Sequence, residues 1–119
     1  MKRKTIAVMK IRHAFFDLIS AGIKQYEIRD VPLDGIDIIS YRDAKSGAYL
    51  GSYCTSEVLK YTRDQDETVR KLSSIDANAF YQLFPAPEQG GPDALWAIKL
   101  SNPVSLKDLF GFLPCVGEY

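Results

Sequence analysis

One histidine, two cysteines and one tryptophan in 119 residues leave little material for several kinds of chemistry. His13 alone, with Cys54 and Cys115 isolated from each other, does not make up a four-ligand zinc set, and no metal or cofactor is expected. His13 also has no nearby triad partner, so it reads as a surface or helix-start residue. The cysteines lack CxxC spacing and fit a reduced, cytoplasmic chain better than a disulfide scaffold. No apolar run approaches the roughly 20 residues that a membrane span needs. The basic start MKRKTIAVMKIRH has only a short apolar stretch, broken by Lys10 and Arg12, and is not expected to act as a signal peptide. Neither GxGxxG nor GxxxxGK[ST] occurs, which argues against a doubly wound nucleotide fold. There is no excess of charge either, since Lys plus Arg and Asp plus Glu both number 15. A strong duplex-DNA binder usually carries a larger basic surplus.

What is present is the composition of an ordinary folded domain, 46% hydrophobic and 25% charged. Residues 1–119 read as one domain, long enough to bury a single core without staples. The balanced charge is unevenly spread. Residues 1–29 hold seven basic side chains against Asp17 and Glu27, a surplus of five, and the rest of the chain carries the matching deficit. A positive first quarter attracts anions such as a nucleic-acid backbone.

Periodicity and turn chemistry set the order of elements. Thr5–Ile11 is β-prone and apolar, a buried strand. Ile11, Phe15, Leu18 and Ile19 then fall on one helical face, and Gly22 stands where a left-handed residue ends the helix. Residues 24–30 read as a strand, and Pro32 with Asp34-Gly35 as a turn. Strands follow at 36–42 and 48–62, the second with Gly51 marking a bend or bulge. A short helix around Val69 and Leu72 precedes a second one, for which Ser73 and Asp76 suggest a capping-box start. Residues 85–93 form a loop, 94–100 a strand, and the tail a helical turn from Ser105 with an apolar end. Helices thus interrupt strands that mostly connect as hairpins. The expected class is α+β: a small curved sheet or barrel of about five or six strands with three helices packed outside.

The stretch GIKQYEIRD, Gly22–Asp30, concentrates charge directly after a helix end. In a strand Glu27 and Arg29 share one face, Tyr26 and Ile28 the other. Lys24 has the opposite parity to Glu27, but next to the Gly22 turn its stem reaches either side. Two readings stand on spacing alone. One is an exposed same-face ion pair between Glu27 and Arg29, worth about 0–1 kcal/mol. The other is a cleft on which Lys24, Glu27 and Arg29 converge.

In this setting the pattern Gly22-x-Lys24-x-x-Glu27-x-Arg29 resembles the signature of the ASCH domain family. GIDIISYRDAKSGAYLGSYCTSEV resembles that family's next hairpin, and ALWAIKLSNPVSL its late strand ending in Asn-Pro. The resemblance spans nearly the whole chain and is weakest over residues 62–92. It implies a PUA-like, mixed or antiparallel β-barrel with helices beside a cleft, and RNA or nucleotide as partner. Some members are small hydrolases that deacetylate N4-acetylcytidine, with the motif's Lys catalytic. This chain keeps Lys24 and Arg29, yet has Glu27 where those hydrolases have Thr. A carboxylate does not act as a hydroxyl nucleophile. The hydrolases' later acidic residue corresponds to no fixed position here, Asp66 and Glu67 being the candidates.

The chemistry of these side chains suits a nucleotide. Lys24 and Arg29 supply donors for phosphate or base carbonyls, and Glu27 accepts from an exocyclic amine or holds Lys24. For base stacking, Tyr53 and Trp96 are singled out among the strand aromatics. Three functions follow. The first is an RNA- or nucleotide-binding module. The second is a hydrolase, an amidohydrolase or ribonuclease, with Lys24 and Glu27 catalytic. The third is an interaction protein docking through the apolar tail around Phe110, Phe112 and Leu113. Oligomeric state is left open.

Overall fold

The computed structural model describes the backbone of residues 3–110 and 113–118, and the side chains of residues 4–109. Six strands run Arg3–Ile11 (β1), Tyr26–Arg29 (β2), Ile38–Asp43 (β3), Tyr49–Thr62 (β4), Ala94–Val104 (β5) and Leu113–Glu118 (β6). Among the described residues four α-helices span His13–Ser20 (α1), Asp66–Ser73 (α2), Ala77–Leu83 (α3) and Leu106–Phe110 (α4). Strand β2 is shorter than its charge pattern suggests, because the chain is still wrapped on the end of α1 at Lys24, whose N–H bonds Leu18 O. The cap of α3 also differs from expectation. Asp76 is the N-cap, accepting from the Ala79 N–H at 2.8 Å, whereas the Ser73 hydroxyl donates to Arg70 O within α2. The serine is spent inside one helix rather than opening the next.

The strands pair in the order β2-β5-β4-β3-β1-β6. Strand β3 runs parallel to β1 and antiparallel to β4, β4 is antiparallel to β5, and β5 to β2. The sheet is mixed, as expected, but not closed. Its ends are β2 and β6, so the expected barrel is corrected to an open sheet. The tail supplies β6, parallel to β1 from Arg3↔Leu113 to Val8↔Glu118. The side chains of Phe110, Phe112, Leu113 and Cys115 lie outside the described residues, and Cys54 is a free thiol. Between Tyr41↔Gly51 and Arg42↔Tyr49 the register slips, so Leu50 is the extra residue of a bulge. Gly51 there lies against Phe16, whose ring would sit 2.9 Å from an added Cβ.

Alternation on the strands separates two cores. Ala7, Met9, Ile11, Ile39, Tyr41, Ile98 and Leu100 point to the face covered by Ile19 of α1. On the other face, Ile28, Leu95 and Ala97 meet Val69, Ile75, Phe80 and Phe84 from the α2–α3 layer. Phe15 packs against both. The outer layer is fastened by Arg63, whose side chain is 7% exposed. Its guanidinium donates to both carboxylate oxygens of Asp66 and to the carbonyls of Phe84, Pro85 and Pro92. One buried cation thereby orders the loop that the Pro and Gly residues of 85–93 only permit. No helix among the described residues is long and apolar enough to cross a membrane.

Candidate functional site

The turn after α1 decides where Lys24 points. Gly22 has φ +77°, the left-handed region where a side chain is strained. Its N–H bonds Ile19 O at 3.0 Å and the Ile23 N–H bonds Leu18 O at 2.9 Å, the paired bonds of a Schellman motif. Lys24 N also bonds Leu18 O at 3.0 Å. The backbone is therefore still wrapped around the helix end at Lys24, and strand parity does not apply to it. Lys24 and Glu27 face the same space.

That space is a cleft of about 360 Å³ between β1, β2 and the α2–α3 layer. Lys10, Ile11 and Arg12 line one side, Glu27 to Asp30 another, and Ser73, Ile75, Leu83 and Phe84 the outer layer, with Phe15 and Lys24 completing the wall. It lies in the gap between β2, one end of the sheet, and the C-terminal end of β1. Side chains rather than strand pairing span this gap. Arg29 Nη2 donates to Lys10 O of β1 at 2.9 Å, and the Tyr41 hydroxyl of β3 donates to Glu27 Oε1 of β2 at 2.7 Å. The sheet must curve strongly for β2 to reach β1 and β3 in this way.

Glu27 is 5% exposed and both its oxygens are used. Tyr41 holds Oε1, and Arg29 Nε donates to Oε2 at 2.7 Å. Burial, with the Glu27 carboxylate beside it, pushes the Tyr41 phenol well above its ordinary value, so it stays a proton donor. Lys24 is 6% exposed, and its Nζ donates to Ser73 O, at the C-terminal end of α2, at 2.8 Å. Burial lowers the Lys24 pKa; Glu27 opposes this and Arg29 adds to it. A cation at the negative end of a helix is favoured, but it has little water here.

Lys24, Glu27 and Arg29 are thus brought to one cleft. Tyr53 and Trp96 are not among its lining residues. Tyr53 packs near Phe16, with ring centroids 6.3 Å apart, and borders a separate hollow of about 230 Å³ with Lys24 and Gln25. Trp96 packs against the inner core with Lys60 over its ring. Asp66 and Glu67 begin α2 while Ser73 ends it, about 10 Å along the axis, and their partners are Arg63 and Arg70. Neither lines the cleft. His13 is exposed at the start of α1, beside Asp17 and Asp43. The residue that spacing missed is Tyr41: its parity marks it as core, and only the curvature makes it a partner of Glu27. Among the described residues no three His, Cys, Asp or Glu side chains gather to hold a metal ion.

The chain matches no protein-family model and no curated protein. Its fold is similar to the crystal structure of ASCH from Zymomonas mobilis, with a TM-score of 0.65 at 16% identity over 87% of this chain and 76% of that one. A point variant of that protein gives 0.66 at 16% identity, over 93% and 81%. The hypothetical protein PH0355 gives 0.57 at 16% identity, over 83% and 99%. At this identity the likeness establishes the fold alone, which is ASCH-like.

Proposed function

We propose that this ASCH-like domain binds RNA or a nucleotide in the cleft lined by Lys24, Glu27 and Arg29. The observation that carries the reading is the convergence of those three side chains on one cavity. Lys10, Arg12, Lys24 and Arg29 outweigh Glu27 and Asp30 around it, and Phe15, Ile75 and Phe84 offer an apolar wall for a base. Tyr53 and Trp96 have no part in this version of the site. A salt-titrated RNA-binding assay tests it. The logarithm of the wild-type binding constant falls linearly with the logarithm of salt concentration. The Lys24→Ala/Arg29→Ala variant loses about 1.5–3 kcal/mol per charged hydrogen bond. Equally weak binding by both proteins would sink the proposal.

The lowered pKa of Lys24 favours a second reading, a hydrolase in which its neutral amine is the general base. Glu27, held by Tyr41 and Arg29 in the resting site, keeps a second lone pair on each oxygen and is the accompanying acid or base. Incubation with N4-acetylcytidine and with short RNA, between about pH 6 and pH 9, separates amidohydrolase from ribonuclease. Absence of product from both leaves binding alone.

A further inference from the structure

We infer that the Lys24 and Arg29 end of the cleft is a site for a terminal phosphate, and that Tyr41 is a positioning residue for it, acting through Glu27 and Arg29. The inference rests on the nucleotide reading above and names the group that enters first. Glu27, the only acceptor of the three charged residues, is consumed by protein donors, Tyr41 Oη at 2.7 Å and Arg29 Nε at 2.7 Å. Each oxygen is already held and the residue is 5% exposed, so little of Glu27 is presented to an exocyclic amine. What remains to face a ligand is donors. Of the three Lys24 Nζ protons, one is held by Ser73 O among the described residues. Arg29 uses Nε and Nη2, which leaves Nη1 without a partner among the described residues. Arg29 balances the Glu27 carboxylate, so the unused donors of Lys24 and Arg29 sit beside one excess positive charge, which favours an anion.

The burial of Lys24 and the small cavity select a terminal one. Lys24 is 6% exposed at the wall of a cavity of about 360 Å³, at the small end for a ligand pocket. A group that enters tip-first reaches it. An internal phosphodiester would have to carry both flanking sugars in with it. Outside the phosphate, the base lies against Phe15, Ile75 and Phe84. The same terminal phosphate occurs on a free mononucleotide and on the end of an RNA strand.

Tyr41 fixes the fork of Arg29 indirectly. Its hydroxyl holds one Glu27 oxygen, the other oxygen holds Arg29 Nε, and Lys10 O holds Nη2, so Nη1 has a set direction. Tyr41→Phe keeps the ring and removes only the hydroxyl.

Calorimetric titration of the full chain with cytidine, cytidine 5′-monophosphate, and a short oligonucleotide with and without a 5′-phosphate tests the inference. The monophosphate is expected to bind about tenfold or more tightly than the nucleoside. Arg29→Ala abolishes that ratio, and Tyr41→Phe shrinks it several-fold while nucleoside affinity holds. A merely structural role for Tyr41 would weaken nucleoside and nucleotide alike and leave the ratio intact, which overturns the positioning role. Preference for the monophosphate without preference for the phosphorylated oligonucleotide assigns the site to free mononucleotides; preference for both extends it to RNA ends. Equal binding of nucleoside and monophosphate overturns the phosphate site while sparing the nucleoside cleft. So does equal binding of both oligonucleotides with no mononucleotide bound, which leaves RNA binding in place. No binding of any of the four ends both.

Discussion

A single buried hydroxyl gives this protein a pH signature. Tyr41 keeps its proton in the fold well above the ordinary phenol value of about 10, first through burial and then through Glu27. Below that value folded and unfolded chains both hold the proton, and the term is flat. Above it the unfolded chain ionises first, so stability falls by about 1.4 kcal/mol per pH unit until the folded value is reached. Lys24 acts with the opposite sign in a lower window. Burial lowers its folded pKa, so from there up to about 10.4 the unfolded chain holds more protons and stability rises with pH. Beyond that the Tyr41 effect is unopposed. Urea titrations repeated up the alkaline range are expected to show a steep loss in wild type and a shallower one in Tyr41→Phe. Parallel curves would mean that Tyr41 is not the proton holder. The phenol was legible only as one more strand aromatic. Its contact joins residues 14 apart on strands that are not neighbours in the sheet, and no local pattern encodes that.

At the scale of elements, local signals read well and long-range ones poorly. Gly22 was placed correctly as a left-handed residue, because helix ends are written in a few adjacent positions. Its consequence for Lys24 is testable. An added Cβ at Gly22 meets nothing within 4 Å, so Gly22→Ala carries only backbone strain, about 1 kcal/mol. If the turn yields instead, Lys24 leaves Ser73 O and ligand affinity falls with stability. Gly22→Asn, which tolerates the left-handed region better, recovers part of both by thermal melting and titration. A Gly22→Ala protein melting like wild type would show that the turn does not need this conformation. Arg63 is the opposite case. Nothing in RDQDETVR marks it as the fastening of a loop more than 20 residues away, since its partners are backbone carbonyls that any sequence supplies. Arg63→Ala leaves Asp66 and three carbonyls without their donor and is expected to cost about 3–5 kcal/mol by urea denaturation. A loss under about 1 kcal/mol would reduce it to a surface ion pair.

On the scale of the whole molecule, the cleft exists because the sheet is open. Strand β2 ends the sheet, its Arg29 reaches the backbone of β1, the Tyr41 side chain of β3 reaches back to Glu27, and the α2–α3 layer covers the far side. Hydrophobic alternation made a curved sheet with outer helices foreseeable. Closure was not, because it depends on whether two distant strand edges complete a ladder, and here Arg29 and Tyr41 do that work with side chains. The cleft therefore lies on the seam between two cores, and its integrity depends on the outer one staying folded. Phe80 is fully buried in that outer cluster and does not line the cleft. Phe80→Ala is expected to cost about 3–5 kcal/mol. If the layer opens as its own cooperative unit, hydrogen exchange rises through α2 and α3 while the amides of β1 and β3 keep their protection. Apparent affinity then drops in proportion to the fraction of molecules with the layer closed, with no ligand contact removed. Saturating ligand should restore protection to α2 and α3, since it binds only the closed form. Uniform acceleration over both cores would instead mean that the molecule unfolds as one unit and that the cleft has no opening of its own.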